Sequence, residues 1–244
     1  MGKSSSSYLT ATRHPFSCLL FLLPLLASYE WGVLQMGGAH PDDLRNGADA
    51  WVRWGLEKAN LNEYAWAPPA LVAGLFLIWS LFRFKDIPSG WLGLLSGMAL
   101  ESMAFALGLW FLGRALLPLI ESAKFLQIRA GPFEDLMRQV VTYVGAGIYE
   151  EIVFRLFLMT AINWVLLVVW TPDAWARFLS IVASAVLFSL AHHIGPYGED
   201  FEKRVFLFRV MAGLYFAVLF QWRGFGISAG AHACYDVMVG ISLS

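Results

Sequence analysis

The chain has 244 residues, of which 58% are hydrophobic and only 14% charged, and its mean hydropathy is +0.60. Soluble domains run to about 45–50% apolar and about 25% charged residues, so the composition excludes a water-soluble globule and leaves a polytopic membrane protein of one domain's length. The net charge of −1 provides no basic face for nucleic acid, and two cysteines, Cys18 and Cys234, make neither a disulfide framework nor zinc-ligand spacing.

The opening MGKSSS fits the loose N-myristoylation pattern, which is short enough to be matched by chance. Lys3, Arg13 and His14 then precede an apolar stretch over 16–26 in the manner of a signal peptide. Apolar character continues to about residue 34, and an uncleaved first span is the expected reading. A crossing needs roughly 20 apolar residues at about 1.5 Å each. Runs at 16–34, 67–82, 91–113, 140–170, 178–194, 205–222 and 226–243 are the candidates. The run over 140–170 is too long for one straight crossing and predicts a tilted or kinked helix, or a break near 160–163. Adding 116–128 as a short or re-entrant segment predicts an all-α membrane bundle of seven or eight transmembrane helices.

Polar segments punctuate these runs. The loop over 37–66 carries Asp42, Asp43, Arg45, Asp49, Arg53, Glu57, Lys58 and Glu63 beside Trp51 and Trp54. It reads as an amphipathic segment lying on the membrane or as a small helical cap. Two further polar loops fall at about 121–138 and 197–204. Residues 1–135 have generic membrane character, and 136–244 form a second region set apart by its ionisable residues. Lys3, Arg13, Arg83 and Lys85 would share one side of the membrane, opposite the acidic loop, but Arg114, Lys124, Arg129 and Arg138 cancel that bias. No orientation follows.

Charged groups within spans cost about 2.5–3.5 kcal/mol each on insertion scales, so they have a partner or a task. Here they are Glu101, Glu150, Glu151, Arg155, His192, His193, His232 and Asp236, and all but Glu101 lie beyond residue 149. On a helix Glu151 and Arg155 are one turn apart and can pair, while Glu150 is rotated about 100° from Glu151, toward the bundle interior. Taken alone, the three would equally suit a structural ion cluster. Phe188 and His192 share a face near the end of an apolar helix, with His193 rotated toward the interface. His232 and Asp236 are again one turn apart, so the acid can fix the imidazole's tautomer or simply neutralise it. Glu101 would line the same cavity, contact substrate, or, as the simpler reading, pair with an arginine such as Arg209.

Together the three segments supply a carboxylate, two imidazoles and an orienting acid. Peptide hydrolysis needs a base for water and donors for the oxyanion. No serine or cysteine with a paired base stands out as a nucleophile. EEIVFR, FSLAH and HACYD resemble the EExxxR, FxxxH and HxxxN/D motifs of the CAAX protease and bacteriocin-processing family, over roughly 138–240. The resemblance implies a bundle of about eight helices around a polar, water-filled cavity within the membrane. It implies that Glu150 and His192 activate water without a covalent intermediate, and that His232 and the residue at 236 stabilise the oxyanion. Glu151 and Arg155, with Phe188, would structure the site. Prenyl-protein endopeptidases of the family tend to have Asn where this chain has Asp236, which makes a prenylated CAAX tail a less natural substrate. An ionised Asp236 would repel an oxyanion, so it is expected to be protonated or to act through His232.

The expected protein is thus a multi-pass intramembrane endopeptidase of the cell (inner) membrane, with no cofactor and no metal. Its partners would be the bilayer and a membrane-anchored protein or peptide substrate, with or without a lipid anchor. Three alternatives compete with it. A zinc protease would use Glu150, His192 and His232 as ligands, though the HExxH spacing is absent. An immunity or scaffolding protein would keep the polar cluster as structure. A proton-coupled transporter would use Glu101, Glu150 and the histidines as a relay, though the sequence shows no repeat halves.

Overall fold

The computed structural model describes residues 7–61, 66–116, 133–195 and 198–242. Among the described residues every regular element is helical. The helices are α1 (Tyr8–Ala11), α2 (Pro15–Met36), α3 (Gly47–Lys58), α4 (Ala67–Phe82), α5 (Trp91–Leu116), α6 (Phe133–Glu151), α7 (Thr160–Val168), α8 (Asp173–Ala191), α9 (Lys203–Arg223) and α10 (Phe225–Ser242). Among the described residues five helices are long and apolar enough to cross a membrane: Pro15–Met36, Trp91–Ala115, Glu134–Val168, Asp173–Ala191 and Lys203–Arg223. The Ala67–Phe82 helix is apolar but shorter. Outward faces carry Leu77, Ile78, Leu81, Leu100, Leu107, Phe111, Phe157 and Val218, all exposed, as lipid-facing surfaces require. The myristoylation pattern at residues 1–6 and nearly all of the short segment over 116–128 lie outside the described residues; Leu116 itself ends α5.

The long fourth run is one continuous helical stretch, not a break near 160–163. Between α6 and α7 the Ile152–Met159 turn widens into a π-helix. The distortion therefore falls immediately after Glu151 and includes Arg155. A π turn leaves an extra residue per turn, and here the Thr160 hydroxyl donates to the Arg155 carbonyl at 3.3 Å.

The polar loop after α2 folds as a helical cap. A 3₁₀ turn over Pro41–Leu44 leads into α3, whose N-cap Asn46 accepts from the Ala48 N–H at 2.7 Å. An ion network ties this cap to α2. Arg45 meets Glu30 at 3.1 Å and Asp49 at 2.9 Å, while Arg53 meets Asp49 at 3.0 Å and Glu30 at 3.1 Å. Asp49 is wholly buried and also accepts from the Tyr29 hydroxyl at 2.9 Å.

At the other end of α2, His14 is the N-cap. Its Nδ1 accepts from the Phe16 N–H and its Nε2–H donates to the Arg83 carbonyl, both at 3.1 Å. Burial pushes its pKa below the ordinary value, the Arg83 charge adds to this, and the Arg83 carbonyl and Asp86 oppose it only in part. An imidazolium cannot accept the Phe16 N–H, so the cap works only with a neutral ring. The stability from this group is complete above the unfolded-state pKa of about 6.5 and is lost as pH falls through the lower folded-state value. Thermal unfolding in micelles is therefore expected to show a midpoint that falls between pH 7 and pH 5. The fall should be smaller in His14→Asn, which keeps a cap but cannot titrate.

In the packing, α10 lies against α2, α5, α6 and α9, while α8 lies against α7, α9 and the π turn. The α10 residues Gly226, Ser228, Ala229, Gly230, Ala231 and Ala233 are small and buried, which lets neighbouring backbones approach closely. One consequence is at Gly147 of α6, where a Cβ would sit 2.5 Å from the Ala233 backbone nitrogen. Only glycine allows this crossing, and it falls one turn before the paired glutamates.

Candidate active site

The α6–α10 crossing sets Glu151 against His232. The His232 Nδ1–H donates to Glu151 Oε1 at 2.9 Å, and the Ser228 hydroxyl donates to Oε2 at 2.7 Å. Arg155 lies 3.4 Å from Glu151 Oε1, and neither side chain has any exposure. The Arg155 guanidinium donates to the Gly213 carbonyl at 3.3 Å and lies 4.4 Å over the Phe188 ring and 5.9 Å from that of Phe216. Aromatic faces supply electron density to a cation that water cannot reach. Phe216 also stacks on His232, with ring centroids 4.4 Å apart and planes 14° apart. The ring of His232 is thus fixed by a hydrogen bond at one edge and a stack on one face.

Glu150 points elsewhere, as its rotation from Glu151 requires. Its Oε1 accepts from the Asn46 Nδ2 at 2.8 Å, and its Oε2 lies 3.7 Å from His232 Nε2. Asp236 Oδ2 lies 3.5 Å from the same nitrogen. Asn46 is itself held by its backbone N–H, which donates to the Tyr29 hydroxyl at 3.2 Å. A chain of polar contacts therefore runs from the ion network of the cap through Tyr29 and Asn46 to Glu150.

These groups face a cavity of about 350 Å³ whose lining includes Asn46, Glu150, Phe188, His192, His232 and Asp236. His192 is the C-cap of α8 and its Nδ1–H donates to the Phe188 carbonyl at 2.9 Å. A carbonyl can only accept, so Nε2 keeps the basic lone pair. Among the described residues no hydrogen bond or ion pair joins His192 to Glu150, although both line the cavity. Glu199 and Arg209 also line it and pair at 2.7 Å. Burial alone would raise the Glu199 carboxyl, but the Arg209 hydrogen bond and charge, with His192 and His193 nearby, hold it below its ordinary value.

All seven residues singled out from the motifs thus fall in one neighbourhood. Glu150, Phe188, His192, His232 and Asp236 line the cavity, and Glu151 and Arg155 are buried behind it. One expectation needs correction. Glu101 does pair with an arginine, but with Arg223, whose Nη2 is at 2.7 Å; it also accepts from the Tyr8 hydroxyl at 2.8 Å. Arg209 belongs to Glu199 instead, because α9 places it at the opposite end from Arg223. His193 turns away from the cavity lining and contacts the Glu199 carbonyl through Nδ1 at 2.9 Å. Asn46, Phe216 and Ser228 were not anticipated. Asn46 bore a visible sign, since Asn before Gly-Ala-Asp is an N-cap pattern, but its reach to a residue 104 positions away has no local signature.

Comparison with known families fits this geometry. Residues 132–238 match the family model described as type II CAAX prenyl endopeptidase Rce1-like. This region of the chain is Rce1-like. The match runs from the start of α6 into α10 and contains all seven motif residues, whereas Asn46 and Tyr29 lie outside it. No curated protein and no solved structure matches the chain. With five membrane-capable helices, the chain is an integral, multi-pass membrane protein, and its 132–238 region is similar to the type II CAAX prenyl endopeptidases. Among the described residues no three His, Cys, Asp or Glu side chains are grouped as a metal site.

Proposed function

We propose that the chain is an intramembrane endopeptidase that hydrolyses a peptide bond near the end of a membrane-anchored substrate by activating water with Glu150 and His192. The observation that carries this reading is the convergence of Glu150, His192, His232 and Asp236 on one cavity lined by helices of the Rce1-like region. In this reading α4 and α10 join the five longer helices as a bundle of seven or eight in the cell (inner) membrane, and the cavity opens within it. Residues 136–244 form the catalytic core, and 1–135 the helices that enclose and cap it.

The chemistry follows from the hydrogen-bond capacities. A water between Glu150 and His192 loses its proton to the carboxylate, and the His192 Nε2 lone pair orients it. The nascent hydroxide adds to the scissile carbonyl carbon, and the negative charge that gathers on its oxygen is met by the Nε2–H of His232. In this reading His232 carries both ring protons, as an imidazolium among the carboxylates of Glu150, Glu151 and Asp236. The proton held by Glu150 passes to the leaving amine as the C–N bond breaks, so no covalent intermediate is needed. Asp236 acts through His232. At 3.5 Å from Nε2 it orients the ring from the side opposite the Glu151 bond.

The test is cleavage of a panel of membrane-anchored tail peptides by the purified full chain, with and without chelator, for wild type, His192→Ala and Asp236→Asn. Chelator-resistant cleavage that falls about 10²–10⁴-fold in His192→Ala and survives in Asp236→Asn is the expected result. A wild type that is folded but cuts no peptide would point to a scaffolding or immunity role, and chelator-sensitive cleavage would point to a metal protease.

A further inference from the structure

A second cavity, of about 530 Å³, lies at the far end of α9 from the catalytic cleft, where α9 turns into α10. Its lining includes Arg13, Arg83 and Arg223, and no aspartate or glutamate. The three arginines are not equally neutralised. Arg223 is nearly buried and paired with Glu101. Arg83 reaches Asp86 only at 4.0 Å, with the Arg83 side chain 40% and that of Asp86 69% exposed. Among the described residues the Arg13 guanidinium has no hydrogen-bond or ion-pair partner. The cavity thus carries excess positive charge that the protein itself does not cancel.

The surrounding chain is built to hold that charge in place. His14 fixes the Arg83 backbone beside Arg13 through its Nε2–H bond to the Arg83 carbonyl. Gly224, at φ +89°, joins α9 to α10 as a single residue, and a Cβ there would also press to 3.1 Å from Arg13 Cγ. A side chain at 224 would therefore both strain the turn and push Arg13 away. The floor of the cavity is apolar, formed by Cys18, Leu156, Phe220 and Phe225, and its rim carries the exposed Leu9, Trp79 and Trp222. Tryptophans with an apolar body and a polar edge mark the membrane–water interface.

We infer that this cavity binds the phosphate of an anionic phospholipid, with Arg13 and Arg83 on the headgroup and the apolar floor and rim on the glycerol and upper acyl chains. Basic pockets between membrane helices recognise such headgroups. A free phosphate would use the arginines but gain nothing from the tryptophan rim, which is why the lipid is the better occupant. The site is separate from the catalytic cleft, and its test does not depend on proteolysis.

The experiment is titration of phosphatidylglycerol into phosphatidylcholine nanodiscs holding the full chain. Bound lipid is read by native mass spectrometry and the thermal midpoint is followed in parallel. Variants are Arg13→Gln, Arg83→Gln, the double variant, and Lys85→Gln as a nearby basic residue that does not line the cavity. Wild type should retain phosphatidylglycerol selectively and melt higher in its presence. Affinity should fall about fivefold for each arginine removed and about thirtyfold for both, at about 1 kcal/mol per basic residue near the surface. Lys85→Gln should be unchanged. Circular dichroism confirms that each variant is folded; Arg13 is exposed and Arg83 half-buried, and the singles provide the reading if the double variant does not fold. Undiminished retention by the singles or the double, or an equal loss in Lys85→Gln, would overturn the site. Equal stabilisation by inorganic phosphate in lipid-free micelles would overturn the lipid assignment.

Discussion

Glu150→Gln is expected to lower kcat by about 10²–10⁴-fold, the usual contribution of a general base. The substitution is nearly isosteric, and the glutamine carbonyl can still accept from the Asn46 Nδ2 that now bonds Oε1 at 2.8 Å. What disappears is the ability to take a proton from water, together with the negative charge 3.7 Å from His232 Nε2. Substrate binding does not require that proton transfer, so KM should change little, and kcat and kcat/KM should fall together. The measurement is steady-state cleavage of the best tail peptide, with melting curves run alongside. A variant that melts like wild type and still cleaves within a fewfold of it would remove Glu150 from the role of base.

The second large effect concerns stability. Arg155→Met removes one member of a pair in which both side chains have no exposure, leaving Glu151 buried with only the bonds from His232 and Ser228. Breaking such a pair costs about 3–5 kcal/mol, because the remaining charge keeps its desolvation penalty and loses its partner. The guanidinium's contact with Phe188, at 4.4 Å, is lost as well. In the double variant Glu151→Gln/Arg155→Met the orphaned charge is gone. The amide oxygen can accept from the His232 Nδ1–H while the amide NH2 donates to the Ser228 hydroxyl, whose own proton turns to the Phe216 carbonyl, and most of the loss should be recovered. Reversible unfolding in mixed micelles of both singles and the double closes the cycle, and the expected result is a strongly favourable coupling. Independent, additive losses would mean that the two residues act separately.

Sequence made the helical class legible because each run was long and apolar, and it made the three motif segments legible because charge in such runs is conspicuous. Their meeting could not be read from spacing alone. It depends on Gly147 seating against Ala233, a contact between two residues without distinctive chemistry. Of the two readings of the 140–170 run, the continuous, distorted helix holds and the break near 160–163 does not; the π turn that distorts it surrounds Arg155, in an apolar stretch with no local mark of it. Glu101 does pair with an arginine, but the partner is not Arg209. Both candidates lie on α9, and only the tertiary arrangement brings Arg223 and not Arg209 to α5.

The cap on α2 has a consequence for how the molecule could be divided. The Rce1-like stretch looks like a portable module, yet the amide that holds Glu150 comes from Asn46, supported by Tyr29, and neither residue is in that stretch. A transplant of 132–238 into another scaffold would carry every motif residue and leave its central carboxylate without an anchor. The boundary of recognisable ancestry and the boundary of the working unit do not coincide in this chain.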